Sequence, residues 1–273
     1  MGAARRECRA QHADGSQARR RAEASSRRCR RWRLSSGQHR HHRADGRGAV
    51  APAAAHRPRL WHSRRRRTTV STQTVPASSS RKLTLGDIAE TRAYERERDD
   101  FRAHVIELKR RRRVHVGTVV TLLFENRDTI RFQVQEMARA ERIFTDEGIQ
   151  EELNVYNPMV PEAGQLCATM FIELTSDDEM REWLPKLVGV EQLVQFRLPN
   201  GDVVKCVVDP QHASQLTREH VTAAVHYVTF EFTPAQVAAM GDGALLEITH
   251  PAYLESVELS AFTLAQLQAD LQG

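Results

Sequence analysis

The stretch Leu122–Pro158, LLFENRDTIRFQVQEMARAERIFTDEGIQEELNVYNP, is the most polar part of the chain that still carries the period of ordered structure. It opens on apolar residues, turns at Glu125-Asn126-Arg127-Asp128, and continues as a helix for which Asp128 is the expected cap. Ile130, Val134, Met137 and Ala138 fall at i, i+4, i+7 and i+8, one apolar stripe of a 3.6-residue period. Glu141 lies at the edge of that stripe, flanked by Gln133 and Glu136. A second short helix, with Asp146 as its expected cap, carries Ile149, Glu152, Leu153 and Tyr156. It should end before Asn157-Pro158, because the residue preceding proline leaves helical geometry.

Upstream, residues 83–113 read as a helix capped by Asp87, with Tyr94, Phe101, Val105 and Leu108 on one face. Its cationic end, Lys109 to Arg113, suits the negative pole of the helix dipole, so a solvated terminus is a simpler reading than a phosphate patch. Val114–Phe124 is β-branched and apolar and reads as one buried strand, bulged at Gly117. Downstream come a strand from Leu166, a helix capped by Ser176, a hairpin turning at Asn200-Gly201, and a long strand from His220. A helix with Pro234 at its first position, two strands turning at Pro251 and a closing helix follow. The expected fold is α+β: an antiparallel sheet of about six strands with helices packed on one side, over residues 81–273.

Composition divides the chain. Residues 1–80 hold 20 Arg, no Lys and 4 acids, a net +16, so with +5 overall the remainder carries −11. The first 80 residues lack a hydrophobic period and cannot offset their chain entropy, so a disordered Arg-rich tail is expected. A transit peptide and a nucleic-acid arm are possible readings of it. The favoured one is sequence upstream of a start near Val70, which N-terminal sequencing would test. The acidic remainder makes nucleic acid an unlikely partner, since phosphate affinity needs clustered cations. No run of 18 apolar residues offers a membrane span. Cys8, Cys29, Cys167 and Cys206 have no ligand or disulfide spacing, which suggests reduced thiols and a cytoplasmic location.

No string for nucleotide binding, α/β-hydrolase, zincin or dithiol chemistry occurs. The positive signal is a candidate polar pocket of Glu125, Asn126, Arg127, Gln133, Glu136, Glu141, Glu152, Tyr156 and Asn157. Carboxylates from two adjacent helices could hold a hard cation or keep one acid protonated. The alternative is that Arg127, Arg139 and Arg142 pair with them in a network that fixes the helices, as buried carboxylates usually require. His220 and His226 share a strand face and could form a metal site with His250, although a strand histidine is more often a hydrogen-bonded core residue. Cys167, Cys206 and Trp183 read as core.

The segments KRRRRVHVGTVVTLLFENRDTIRFQVQEMARAER, IQEELNVYNPMVP, LCATMFIEL and AVHYVTFEFTPAQVAAM resemble the DUF3501 family, a bacterial family of unknown function. The strings FENRDT and FQVQEM carry most of the likeness, which runs from about Arg81 to about Leu271 and leaves the tail outside. The resemblance brings no activity, catalytic residue or cofactor. It implies, through the company such genes keep, an accessory role beside an iron–sulfur or rubrerythrin-type redox partner. An enzyme or small-molecule binder using the polar pocket is the alternative.

Overall fold

The computed structural model describes residues 81–208 and 220–272. The Arg-rich tail and the start expected near Val70 lie outside the described residues. Helix α1 spans Thr91–Arg112 and buries Tyr94 and Val105. It begins later than its apolar period suggests. Leu85–Asp87 form a separate 3-10 turn, in which Asp87 Oδ2 accepts from Thr84 N and Oγ1 at 2.7 and 2.9 Å. Asp87 therefore caps this turn and not the helix.

The run expected as one strand is two. β1 (Arg113–Val116) and β2 (Val120–Glu125) pair antiparallel, Val116 opposite Val120. Gly117, at φ 68°, makes the reversal possible, because that left-handed geometry strains any residue with a Cβ. The periodicity hid the turn because Val119, Val120 and Leu122 continue the apolar run through it. After β2 come α2 (Arg127–Glu141), α3 (Asp146–Tyr156), β3 (Gln165–Ile172) and α4 (Asp177–Lys186). β4 (Val194–Arg197), β5 (Val203–Val207), β6 (Val225–Glu231), α5 (Pro234–Met240), β7 (Leu245–His250), β8 (Tyr253–Glu258) and α6 (Ala261–Gln272) complete the order. Ser176, Gly201, Pro234 and the Pro251 turn take their expected places. The strand expected from His220 begins only at Val225.

The sheet is antiparallel and has eight strands, not six, in the order β1-β2-β3-β6-β5-β4-β7-β8. It curls until its two ends nearly close a barrel. Tyr253 on β8 reaches β1, its hydroxyl donating to Val116 O at 2.8 Å and accepting from Val119 N at 3.0 Å. Residues spaced two apart line the inside: Val114 and Val116, Val120, Leu122 and Phe124, Leu166 to Ile172, Phe196, Val228 and Phe230. Phe124 and Phe196 stand on strands that are not neighbours, yet their rings meet at 5.8 Å across this interior. Met240 of α5 and Leu267 and Leu271 of α6 join the same core.

A smaller core lies outside the barrel, where Ile130, Val134 and Met137 of α2 meet Leu153 and Tyr156 of α3, with Leu83 and Val160. Arg112, almost fully buried, ties the layers together. Its Nε and Nη2 donate to Phe124 O and Glu125 O at 2.9 and 3.1 Å, and Nη2 also pairs with Asp270 of α6. A buried guanidinium persists only with such complete pairing.

Candidate functional site

The helices that follow β2 carry most of the polar residues singled out above, and each has a definite place. Asn126 caps α2, its Oδ1 accepting from Thr129 N at 3.0 Å while Thr129 Oγ1 accepts from Asn126 N at 2.9 Å. Asp128 is thus not the cap. It sits in the first turn, where a carboxylate suits the positive pole of the helix, with His104 Nε2 3.5 Å away. Thr145, not Asp146, caps α3 by accepting from Gly148 N. Arg127 pairs with Asp87 at 2.6 Å.

Glu136 meets α1. Its Oε1 accepts from Tyr94 Oη and Arg98 Nε, and Oε2 from Arg98 Nη2, all at 2.8 Å. Burial opposes ionisation of Glu136, but the hydrogen bonds from Arg98 and Tyr94 outweigh it and hold the carboxyl below the ordinary glutamate range. Two further pairs, Glu95 with Arg139 at 2.6 Å and Glu97 with Arg131 at 3.2 Å, continue this ladder along α1 and α2. Asn157 brackets the incoming chain, its Nδ2 donating to Leu83 O and its Oδ1 accepting from Leu83 N, at 2.9 and 2.8 Å. Gln135 does the same for Ala89, with N→Oε1 at 3.0 Å and Nε2→O at 2.7 Å. Tyr156 lies in the smaller core, Gln133 and Glu152 are buried, and Glu141 is exposed at the end of α2.

Glu125 is 2 % exposed. Its Oε1 accepts from Thr169 Oγ1 at 2.8 Å, and its Oε2 has no hydrogen-bond partner among the described residues. Lys109 faces it electrostatically from the last turn of α1, with its amine enclosed and 5.9 Å from the centre of the Phe132 ring. Burial pushes this amine down to about 8, and the charge of Glu125 resists the shift. The lysine was invisible in sequence, where it reads as one cation in a solvated basic run.

Two hollows flank α2. The smaller, about 240 Å³, is lined by Asn126, Arg127 and Asp128 together with Arg81 and Asp270. The larger, about 500 Å³, runs between residues 85–92 and the α2–α3 junction. Leu85, Ile88, Ile143, Phe144 and Ile149 make its walls apolar, and Glu90, Arg92 and Asp146 stand among them. Phe144 is 69 % exposed. It follows an unusual helix end: Arg142 takes the left-handed conformation at φ 57°, and Ile143 N returns to Ala138 O at 2.9 Å. The sequence holds no signal for this hollow, because its walls come from segments some fifty residues apart and Phe144 reads as an ordinary linker residue.

The histidines stay apart. His226 Nε2 lies 2.9 Å from both Thr222 Oγ1 and Ala223 O, so that nitrogen carries the proton, and burial holds the ring's affinity for a second proton down. His250 is held by Val188 O and Ala252 N, and His220 is exposed before β6 begins. Among the described residues no group of three or more His, Cys, Asp or Glu is placed to hold a metal ion. Cys167 and Cys206 are free thiols, and burial raises both, Cys206 to about 11. No helix of the described residues is long and apolar enough to cross a membrane.

No functionally curated protein matches the chain. A protein of unknown function from Burkholderia pseudomallei, known from a crystal structure, is similar to it at 34% identity and a TM-score of 0.64. That likeness covers 70% of this chain and 100% of the other. Residues 82–271 match the family described as "Protein of unknown function (DUF3501)". With the match spanning the whole eight-stranded unit and the helices around it, the chain belongs to the DUF3501 family.

Proposed function

We propose that this protein is an accessory protein that binds a protein partner, and that the hollow between residues 85–92 and the α2–α3 junction is its working surface. One observation carries the reading. Three of the polar side chains on which chemistry would depend are engaged internally: Glu136 by Arg98 and Tyr94, Arg127 by Asp87, Asn157 by Leu83. Beside them a hollow with both apolar and polar lining stays open, and Phe144 in that lining is exposed. Large exposed apolar side chains around a concavity mark protein-interaction sites or ligand-binding grooves. The partner class implied by the family resemblance, an iron–sulfur or rubrerythrin-type redox protein, rests on that resemblance alone.

Affinity purification of the tagged full chain from its native host tests the partner. Recovery of a redox protein that is lost with Phe144→Ser supports the proposal, and recovery unaffected by that substitution counts against the surface. A purification that yields no redox protein removes the redox reading.

A second reading has its own observation. Asn126 and Arg127 line the smaller hollow, so a small polar ligand there would make the protein a small-molecule binder. A thermal-shift screen of small anions and cations on wild type and Arg127→Ala checks it. Stabilisation by a ligand that disappears in the variant is the result that would favour this reading.

A further inference from the structure

The larger hollow limits what it can hold. Part of its backbone is already satisfied: both polar groups of Ala89 are taken by Gln135, Ile88 N by Leu85 O, and Ile143 N by Ala138 O. No strand of the sheet faces it, since its walls are helix ends, a 3-10 turn and the irregular segments at 88–90 and 143–144. A partner strand would therefore find no ladder to extend. The remaining common mode is a helix that presents apolar side chains into the groove.

Charge narrows the occupant further. Several cations and anions along α1 and α2 are spent on one another: Glu95 on Arg139, Glu97 on Arg131, Glu136 on Arg98. Glu90 and Asp146 in the groove form no ion pair among the described residues. Arg92 and the positive poles of α1 and α3 offset part of their charge locally. The folded body that bears the groove is acidic, at −11 for residues 81–273, so its own contribution to the field at the groove is negative. An acidic helix is repelled by that contribution, while a basic one is drawn in and meets the carboxylates of Glu90 and Asp146, which form no ion pair among the described residues.

We infer that the groove along residues 85–92 and α2–α3 takes an amphipathic helix of a protein partner, with bulky apolar residues on one face and Lys or Arg on its flanks. This rests on the reading of that groove as the working surface and specifies what fills it.

Two model helices of about 18 residues, long enough to hold helix, test the inference on the full chain at about 0.15 M salt. One carries Leu on one face and Lys on the other, and its counterpart replaces every Lys by Glu. Fluorescence anisotropy gives Kd for wild type, for Phe144→Ser, and for the double variant Glu90→Gln with Asp146→Asn. The Leu/Lys helix is expected to bind, to weaken about tenfold or more with Phe144→Ser, and to weaken about threefold or more with the double variant. Phe144, Glu90 and Asp146 are all exposed, so these substitutions leave the cores intact, which circular dichroism confirms. If the Leu/Glu helix loses as much affinity as the Leu/Lys helix with Phe144→Ser, the groove stands as a docking surface and its preference for basic partners is overturned. If Leu/Lys binding ignores Phe144→Ser, the attraction is general to the acidic body and the groove itself falls.

Discussion

At the scale of single residues, Glu136 and Lys109 show opposite uses of a buried charge. Glu136 has three donors, two of them from one guanidinium, and such charge-assisted bonds are the strong ones. Glu136→Gln should lower unfolding stability by about 1–2 kcal/mol near neutral pH. The folded carboxyl titrates below its unfolded value, so the stabilisation is present above the unfolded value and lost as pH falls through the folded one. Urea denaturation of wild type and variant should show a gap that narrows as pH falls below the ordinary glutamate value of about 4.3. A gap that persists unchanged into acid would mean the pair contributes packing and not charge.

Lys109 is the reverse case. Its amine is held down by burial, so the folded state resists protonation more than the unfolded chain does. The cost of charging it is fully present below about 8 and is removed as pH rises from there toward the unfolded value. NMR of chain labelled in the lysine side chain should show one amine titrating near 8, a signal missing from Lys109→Met. Only titration at the ordinary lysine value would show that Lys109 is solvated.

At the scale of elements, the β1–β2 hairpin depends on one glycine. A Cβ at Gly117 would lie 2.5 Å from Tyr253 Oη and 2.6 Å from Glu255 Cγ, in addition to the left-handed strain. Gly117→Ala is therefore expected to cost about 2 kcal/mol or more in chemical denaturation. The α1–α2 pair was legible as two amphipathic helices, but Arg139 pairs with Glu95 of α1 and not with a glutamate of α2 or α3 as the network reading expected. The exact helix starts were not legible, because Asn126 and Thr145 compete as caps with the nearby Asp128 and Asp146, which sequence alone ranks equally. What separated them was which side chain met a free N–H, a matter of one residue's phase.

For the whole molecule, the barrel's closure hangs on a side chain. Between β8 and β1, Tyr253 Oη bonds Val116 O and Val119 N. Tyr253→Phe leaves both backbone groups without that partner and should cost about 1–2 kcal/mol in thermal or urea unfolding. Faster amide exchange at Val119 is expected to accompany it. The thiols report on both faces of the sheet, Cys206 packing against the barrel core and Cys167 lying on the opposite face near Pro158. With Cys8 and Cys29 changed to Ser, neither Cys167 nor Cys206 should react with a thiol reagent at pH 8 until the chain unfolds, since burial keeps both protonated.

The sequence by itself determined the α+β class, the family, most element positions and the inward faces of the strands, because periodicity and turn chemistry are local properties of the chain. It did not determine the number of strands, since an apolar run passes through the Gly117 turn without a break. Nor did it determine which polar residues are engaged. Glu136 finds Arg98 from 38 positions away, and the open groove joins residues 85–92 to Phe144 and Ile149. Only the tertiary structure decides such matters, because a side chain's partner and its exposure are set by packing between distant segments.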